Sequence, residues 1–158
     1  MIVSDLTHVN VAEKWNYICV LIDLFNREIV GYAANKTKDA SIVAKAFYNA
    51  KINLSNICLF HTDRGKEFDN LVIHNILEAF NINRSLSRPG NLYDNAVAES
   101  VYKTFKVEFC GKRFESFEQL EMELFDHVNR YNNIRPHGSL GYLTPVEYRQ
   151  KYLYSESV

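Results

Sequence analysis

Near the start of the chain, residues 2–9, 17–23 and 28–33 are rich in Val, Ile, Leu and Tyr, with short polar breaks at Glu13-Lys14 and Asn26-Arg27. Apolar stretches of that length bounded by polar turns predict three successive antiparallel strands, a meander. Tyr17-Ile18-Cys19-Val20-Leu21-Ile22 is apolar without alternation, as expected of a central strand buried on both faces. Asp39 is placed to cap a helix of about twelve residues whose Val43, Ala44, Phe47 and Ala50 share a face.

A short strand is expected over residues 57–60, then a second helix over 67–80 with Phe68, Leu71, Val72, Ile76 and Ala79 on its buried side, then a strand over 82–86. Ser87-Arg88-Pro89-Gly90-Asn91 has the chemistry of a loop. A helix follows over residues 95–109. Another is opened by Ser116-Phe117-Glu118-Gln119, a capping-box pattern, and continues through Leu120, Leu124, Val128 and Tyr131. Thr144-Pro145 begins a last short helix, because proline suits the first helical position. Three strands, then helix, strand, helix, strand and further helices predict an α/β, ribonuclease-H-like fold: a mixed five-stranded sheet flanked by helices, in one domain over residues 1–158.

Composition agrees with a globular domain: 158 residues, 47% hydrophobic and 23% charged. The apolar run at residues 17–22 is too short to span a membrane, and the N-terminus lacks the basic start and apolar stretch of a signal peptide, so a cytoplasmic location is expected. Cys19, Cys58 and Cys110 are odd in number and far apart, which predicts neither a disulfide framework nor a zinc site. The net charge of −1 argues against a nucleic-acid partner, but its distribution does not. Residues 84–113 hold six basic side chains against three acidic ones, whereas residues 115–126 hold five acids and no Lys or Arg. The acidic stretch reads as a solvated helix face.

Three carboxylates carry the candidate chemistry. Asp5 would lie within the first strand, Asp63 just past the carboxyl end of the neighbouring fourth strand, and Glu99 near the start of a helix, with 35 residues between the last two. Hard divalent cations such as Mg²⁺ take oxygen ligands and keep part of their water shell for substrate, so acids gathered from separate elements suit them. At 100° per residue Lys103 and Lys106 flank Glu99 on its helix, while Val97, Val101 and Phe105 fall on the far side. Singly, each acid can be an ordinary turn, cap or i,i+4 residue; together, the strand order brings them towards one place.

The segments FHTDRGKEF (residues 60–68), SRPGNLYDNAVAES (87–100) and YNNIRPHGSLGYLTP (131–145), with Asp5 upstream and Lys106 seven positions past Glu99, resemble the catalytic core of bacterial insertion-sequence transposases related to retroviral integrases. The resemblance covers nearly the whole chain and rests on several motifs in order. It implies an enzyme, a polynucleotidyl transferase in which Asp5, Asp63 and Glu99 hold two Mg²⁺ or Mn²⁺ ions for cleavage and strand transfer of DNA. It also implies DNA (element ends and target) as partner, and a homo-oligomer assembled on it. Lys106 and Lys103 are then expected on phosphates, with Arg64, Arg88, Asn91 and Asn95 bordering the same region and Arg135 and His137 as further DNA contacts. His61 is expected to stand behind the ligands rather than among them. Tyr131 and Tyr142 are expected to pack on the core, and Asp23 to act as a turn residue.

Two positions depart from the family's habit: Ile2 stands where a tryptophan is usual and His8 where a tyrosine is. Met1 lies four residues before Asp5, with no helix-turn-helix ahead of it, so the expectation is a catalytic core without the upstream region that recognises terminal repeats. Two other readings stay open. One is a metal-dependent ribonuclease-H-like nuclease, and the other a transposon remnant that binds DNA or dimerises without catalysis.

Overall fold

The computed structural model describes residues 1–87 and 96–155. Strand β1 (Ile2–Val11) turns back through Ala12 and Glu13 into β2 (Lys14–Asp23). Both turn residues have positive φ, 48° and 63°, the mirror-image turn whose twist matches a tight hairpin. It fixes a ten-pair register in which Asp5 faces Val20 and Ile2 faces Asp23. Strand β3 (Ile29–Asn35) adds antiparallel to β2, completing the expected meander.

Helix α1 (Ala40–Tyr48) crosses to β4 (Leu59–Thr62), which pairs parallel with β1; α2 (Leu71–Ala79) then leads to β5 (Asn83–Leu86), parallel with β4. The sheet order is β3-β2-β1-β4-β5, and the two-residue strand β6 (Arg113–Phe114) pairs with the far end of β1. Before β6 come α3 (Ala96–Phe105) and a π-helical turn (Lys106–Cys110). After it come α4 (Phe117–Asn133) and α5 (Pro145–Ser155). This is the expected mixed sheet, enlarged by one short strand.

The uninterrupted apolar run of β2 is explained by its two faces. Ile18, Val20 and Ile22 pack with Phe105, Phe109, Leu120 and Leu124 under α3 and α4. Cys19 and Leu21 pack with Ile42, Phe47, Phe60 and Ile73 under α1 and α2. Caps follow the local sequence. Asp39 accepts from the Ser41 amide at 2.8 Å and Ser116 from the Gln119 amide at 3.1 Å. Gln119 bonds back to the Glu115 amide at 2.7 Å, one residue earlier than a standard capping box.

Several expectations shift. Helix α1 has nine residues, and its buried face is Ile42, Val43, Ala46 and Phe47, with Ala44 and Ala50 at the margin. Helix α2 begins at Leu71 behind the cap Asn70, because residues 65–70 are used in turns. Of the residues expected on the buried side, Phe68 is buried in the turn before the helix and Ile76 is half-buried, but Leu71 is 71% exposed, Val72 and Ala79 are exposed too, and Ile73 and Leu77 face inward instead. On α3 the inward residues are Ala98, Val101 and Phe105, and Val97 in the first turn faces out. Tyr131 is buried as expected, but Tyr142 is 80% exposed, carried outward by a left-handed backbone at φ 64°. Asp23 is the expected turn residue, accepting from the Phe25 amide at 2.9 Å. Four of the five acids expected on a helix face lie along α4, where Glu121 pairs with Lys45 and Glu123 with Lys112, and Glu115 precedes its cap. The loop expected at residues 87–91 lies outside the described residues from 88 onward.

Candidate active site

Parallel pairing of β1 with β4 sets Val3 level with His61. Asp5 lies two residues past Val3 on β1, and Asp63 directly follows the last residue of β4. Side chains two apart on a strand share a face, so Asp5 points to the side where Val3 packs under α3. Glu99 lies in the first turn of α3. All three acids line one cavity of about 160 Å³, together with Ser4, His61, Ser87 and Tyr102.

Asp63 sits in a tight turn: its Oδ1 accepts from the Gly65 amide at 2.9 Å. A Cβ at position 65 would lie 2.7 Å from the carboxylate of buried Glu67, whose side-chain end would have to shift. Asp5 is held from above. The ammonium of Lys106 donates to its Oδ2 at 2.7 Å. Lys106 is the first residue of the π-helical turn, the kind of helix irregularity often found at functional sites. Among the described residues, no three acid, histidine or cysteine side chains form a ready ligand set. The three carboxylates line one cavity, with Asp5 already paired to the Lys106 ammonium, and all-oxygen donors of this kind fit a hard divalent ion.

His61 is locked in place behind this cavity. Its Nδ1 lies 2.9 Å from Ser85 Oγ and its Nε2 lies 3.2 Å from Ser87 Oγ. Ser87 also bonds the Thr62 carbonyl through its amide and its hydroxyl. With both ring nitrogens engaged, His61 steadies the end of β4 that carries Asp63. Arg64 donates to the Ser87 carbonyl at 3.4 Å from an exposed position, and Lys103 is exposed on α3. Arg88, Asn91 and Asn95 lie outside the described residues.

The sequence reading missed Tyr102, one turn beyond Glu99. Its hydroxyl oxygen is cut off from solvent and has no hydrogen-bond partner among the described residues. Burial pushes its phenol well above the ordinary value, with the charge of Asp5 adding to the shift. The only sequence signal was its i+3 spacing from the acid.

Arg135 and His137 are built into a different network. Arg135 pairs with Glu108 of the π-helical turn at 2.6 Å, donates to His137 Nδ1 at 3.2 Å and lies over the Tyr131 ring. His137 is buried and bonds the Tyr131 carbonyl through Nε2 at 3.1 Å. The turn motif thus ties α4 to the segment that carries Lys106. Nδ1 accepts from Arg135, so the neutral ring with its proton on Nε2 fits this site. Burial lowers the His137 pKa below the ordinary 6.5; the Tyr131 carbonyl opposes that shift and the Arg135 charge reinforces it. His127 is lowered in the same direction by its burial.

A depressed folded-state pKa means that the unfolded chain takes up protons first. The contribution of His137 to stability is therefore complete above pH 6.5 and declines as pH falls through the depressed folded value. We expect unfolding free energy measured in urea between pH 7.5 and 4.5 to fall on acidification, with a shallower slope in His137→Gln. Parallel profiles for the two proteins would refute the assignment.

Comparison with known proteins points the same way. Family models described as an integrase core domain match residues 1–92 and 80–145. An uncharacterized transposase-like protein of Haemophilus influenzae is 34% identical over 152 residues, covering 95% of this chain and 70% of its own length. The transposase for insertion sequence element IS904 of Lactococcus lactis subsp. lactis is 33% identical, over 94% of this chain and 60% of that protein. In structure, the catalytic core domain of BIV integrase superposes with a TM-score of 0.70 over 99% of this chain and 97% of that one, at 17% identity. The catalytic core domain of HTLV-2 integrase in complex with magnesium, in a dimeric form, gives 0.66 over 91% of each chain at 14% identity.

Proposed function

The chain belongs to the integrase core domain family, among the insertion-sequence transposases, and from that premise we propose that it cuts and joins DNA strands with divalent cations held by Asp5, Asp63 and Glu99. The observation that carries this reading is the single cavity lined by Asp5, Asp63 and Glu99, with a lysine ammonium 2.7 Å from the first acid. Two Mg²⁺ or Mn²⁺ ions would supply activation of the attacking oxygen and charge stabilisation on the leaving one. Magnesium in the HTLV-2 core accords with this choice.

The chain's own groups do the positioning. The Asp63 turn and the β1–β4 pairing hold two carboxylates on rigid elements. Lys106 balances charge at Asp5 and, released from it, can take a DNA phosphate, while Lys103 and Arg64 extend the basic rim. No side chain is required to form a covalent intermediate: water as nucleophile nicks the strand, and a DNA 3′-hydroxyl joins it. Element ends and target DNA are the proposed substrates, met in the cytoplasm by a homo-oligomer of this single domain, residues 1–158.

A disintegration assay tests the proposal directly. A branched DNA mimicking a strand-transfer product, incubated with Mg²⁺ or Mn²⁺, should be resolved into a joined strand and a released end, and chelator should stop the reaction. Nicking without joining would favour a ribonuclease-H-like nuclease. Tight DNA binding with no metal-dependent product would favour a non-catalytic remnant.

A further inference from the structure

A buried hydroxyl without a partner costs about 1–3 kcal/mol relative to one that is satisfied, and phenylalanine would fill the same space without that cost. Tyr102 carries such a hydroxyl. Its ring packs against the core shared by Val3, Val101 and Phe105, the residue lines the acid-lined cavity, and its buried oxygen has no partner among the described residues.

We propose that the Tyr102 hydroxyl is a positioning donor for the acid cluster, holding the Asp5 carboxylate in its ligating orientation when a divalent cation is bound; this rests on the metal-dependent reading above. A carboxylate has two oxygens, and Lys106 engages Oδ2. An O–H donor from the wall of the cavity suits the other. Such a bond to an ionised acceptor is shorter and stronger than one between neutral groups.

Asp5 and Tyr102 line the same cavity, and burial favours the protonated, donating form of the phenol. Phenylalanine at position 102 would keep the packing and lose only the donor. The role is one of orientation: groups behind metal ligands commonly change metal affinity by about 10–100-fold when removed.

The test compares the full chain with Tyr102→Phe and Asp63→Asn, measuring Mn²⁺ affinity by calorimetry and thermal stability without metal. The proposal expects Tyr102→Phe to be at least as stable as the parent without metal and to bind Mn²⁺ about tenfold more weakly, while Asp63→Asn loses binding. If Asp63→Asn loses binding and Tyr102→Phe stays within about twofold of the parent, the Tyr102 role is overturned and the metal site stands. Lower stability of Tyr102→Phe without metal also overturns it, because the hydroxyl would then serve the fold. If the parent binds no Mn²⁺, or Asp63→Asn binds it equally well, the metal reading falls and this inference falls with it.

Discussion

Asp63→Asn is expected to abolish resolution of branched DNA while leaving the fold intact. The argument separates the two oxygens of one side chain. Oδ1 of Asp63 accepts from the Gly65 amide, and the amide oxygen of asparagine still accepts that bond, though more weakly, so the turn closing β4 is kept. What disappears is the negative charge on an exposed group beside Asp5 and Glu99.

Withdrawing several kcal/mol of charge stabilisation at phosphorus should slow the reaction by about a thousandfold or more. Stability should stay within about 0.5 kcal/mol, as for most exposed substitutions. Rates on the branched substrate and a urea titration check both halves. A rate near that of the parent would remove Asp63 from the catalytic set.

The second large effect is expected on stability, at Asn132. Its side chain accepts from the Ile29 amide and donates to the Ile29 carbonyl, each at 2.9 Å, and both residues are buried. The amide therefore serves as a one-residue strand partner at the start of β3, next to the register shift between Leu21 and Ile22. Asn132→Ala strands two buried backbone groups at about 1–3 kcal/mol each, so a loss of roughly 2–5 kcal/mol is expected. Asn133→Ala, one position along, loses only exposed bonds to Asn129 within α4 and should cost less than about 0.5 kcal/mol. Equal urea midpoints for these two variants would show that the Ile29 bonds carry no net weight.

Together these two sites show how differently chemistry and architecture are written in the chain. The acids were readable because their residue types are restricted by what a hard cation accepts, and because strand order is a one-dimensional property. The structure adds that Asp5, Asp63 and Glu99 line one cavity, which a linear pattern does not state. The turn motif at residues 131–145 was conspicuous as a motif, yet the physics of its letters assigned it no task. Its polar groups find partners 103 residues away at Ile29 and 27 residues away at Glu108.

Element order, the two-sided burial of β2 and the choice of candidate acids are legible in the order of residues alone. Apolar periodicity, capping residues and ligand chemistry are local properties, each read within a few neighbours. Tertiary packing set which residues of α2 turn inward, burying Ile73 and Leu77 where the apolar pattern favours Leu71, Val72 and Ala79. It also decided that Lys106 rests on Asp5 and that Tyr102 brings a hydroxyl to the cavity without a partner among the described residues. Those contacts depend on the packing of α3 over the sheet and on a π-helical turn, and long-range packing of that kind leaves no period in the sequence.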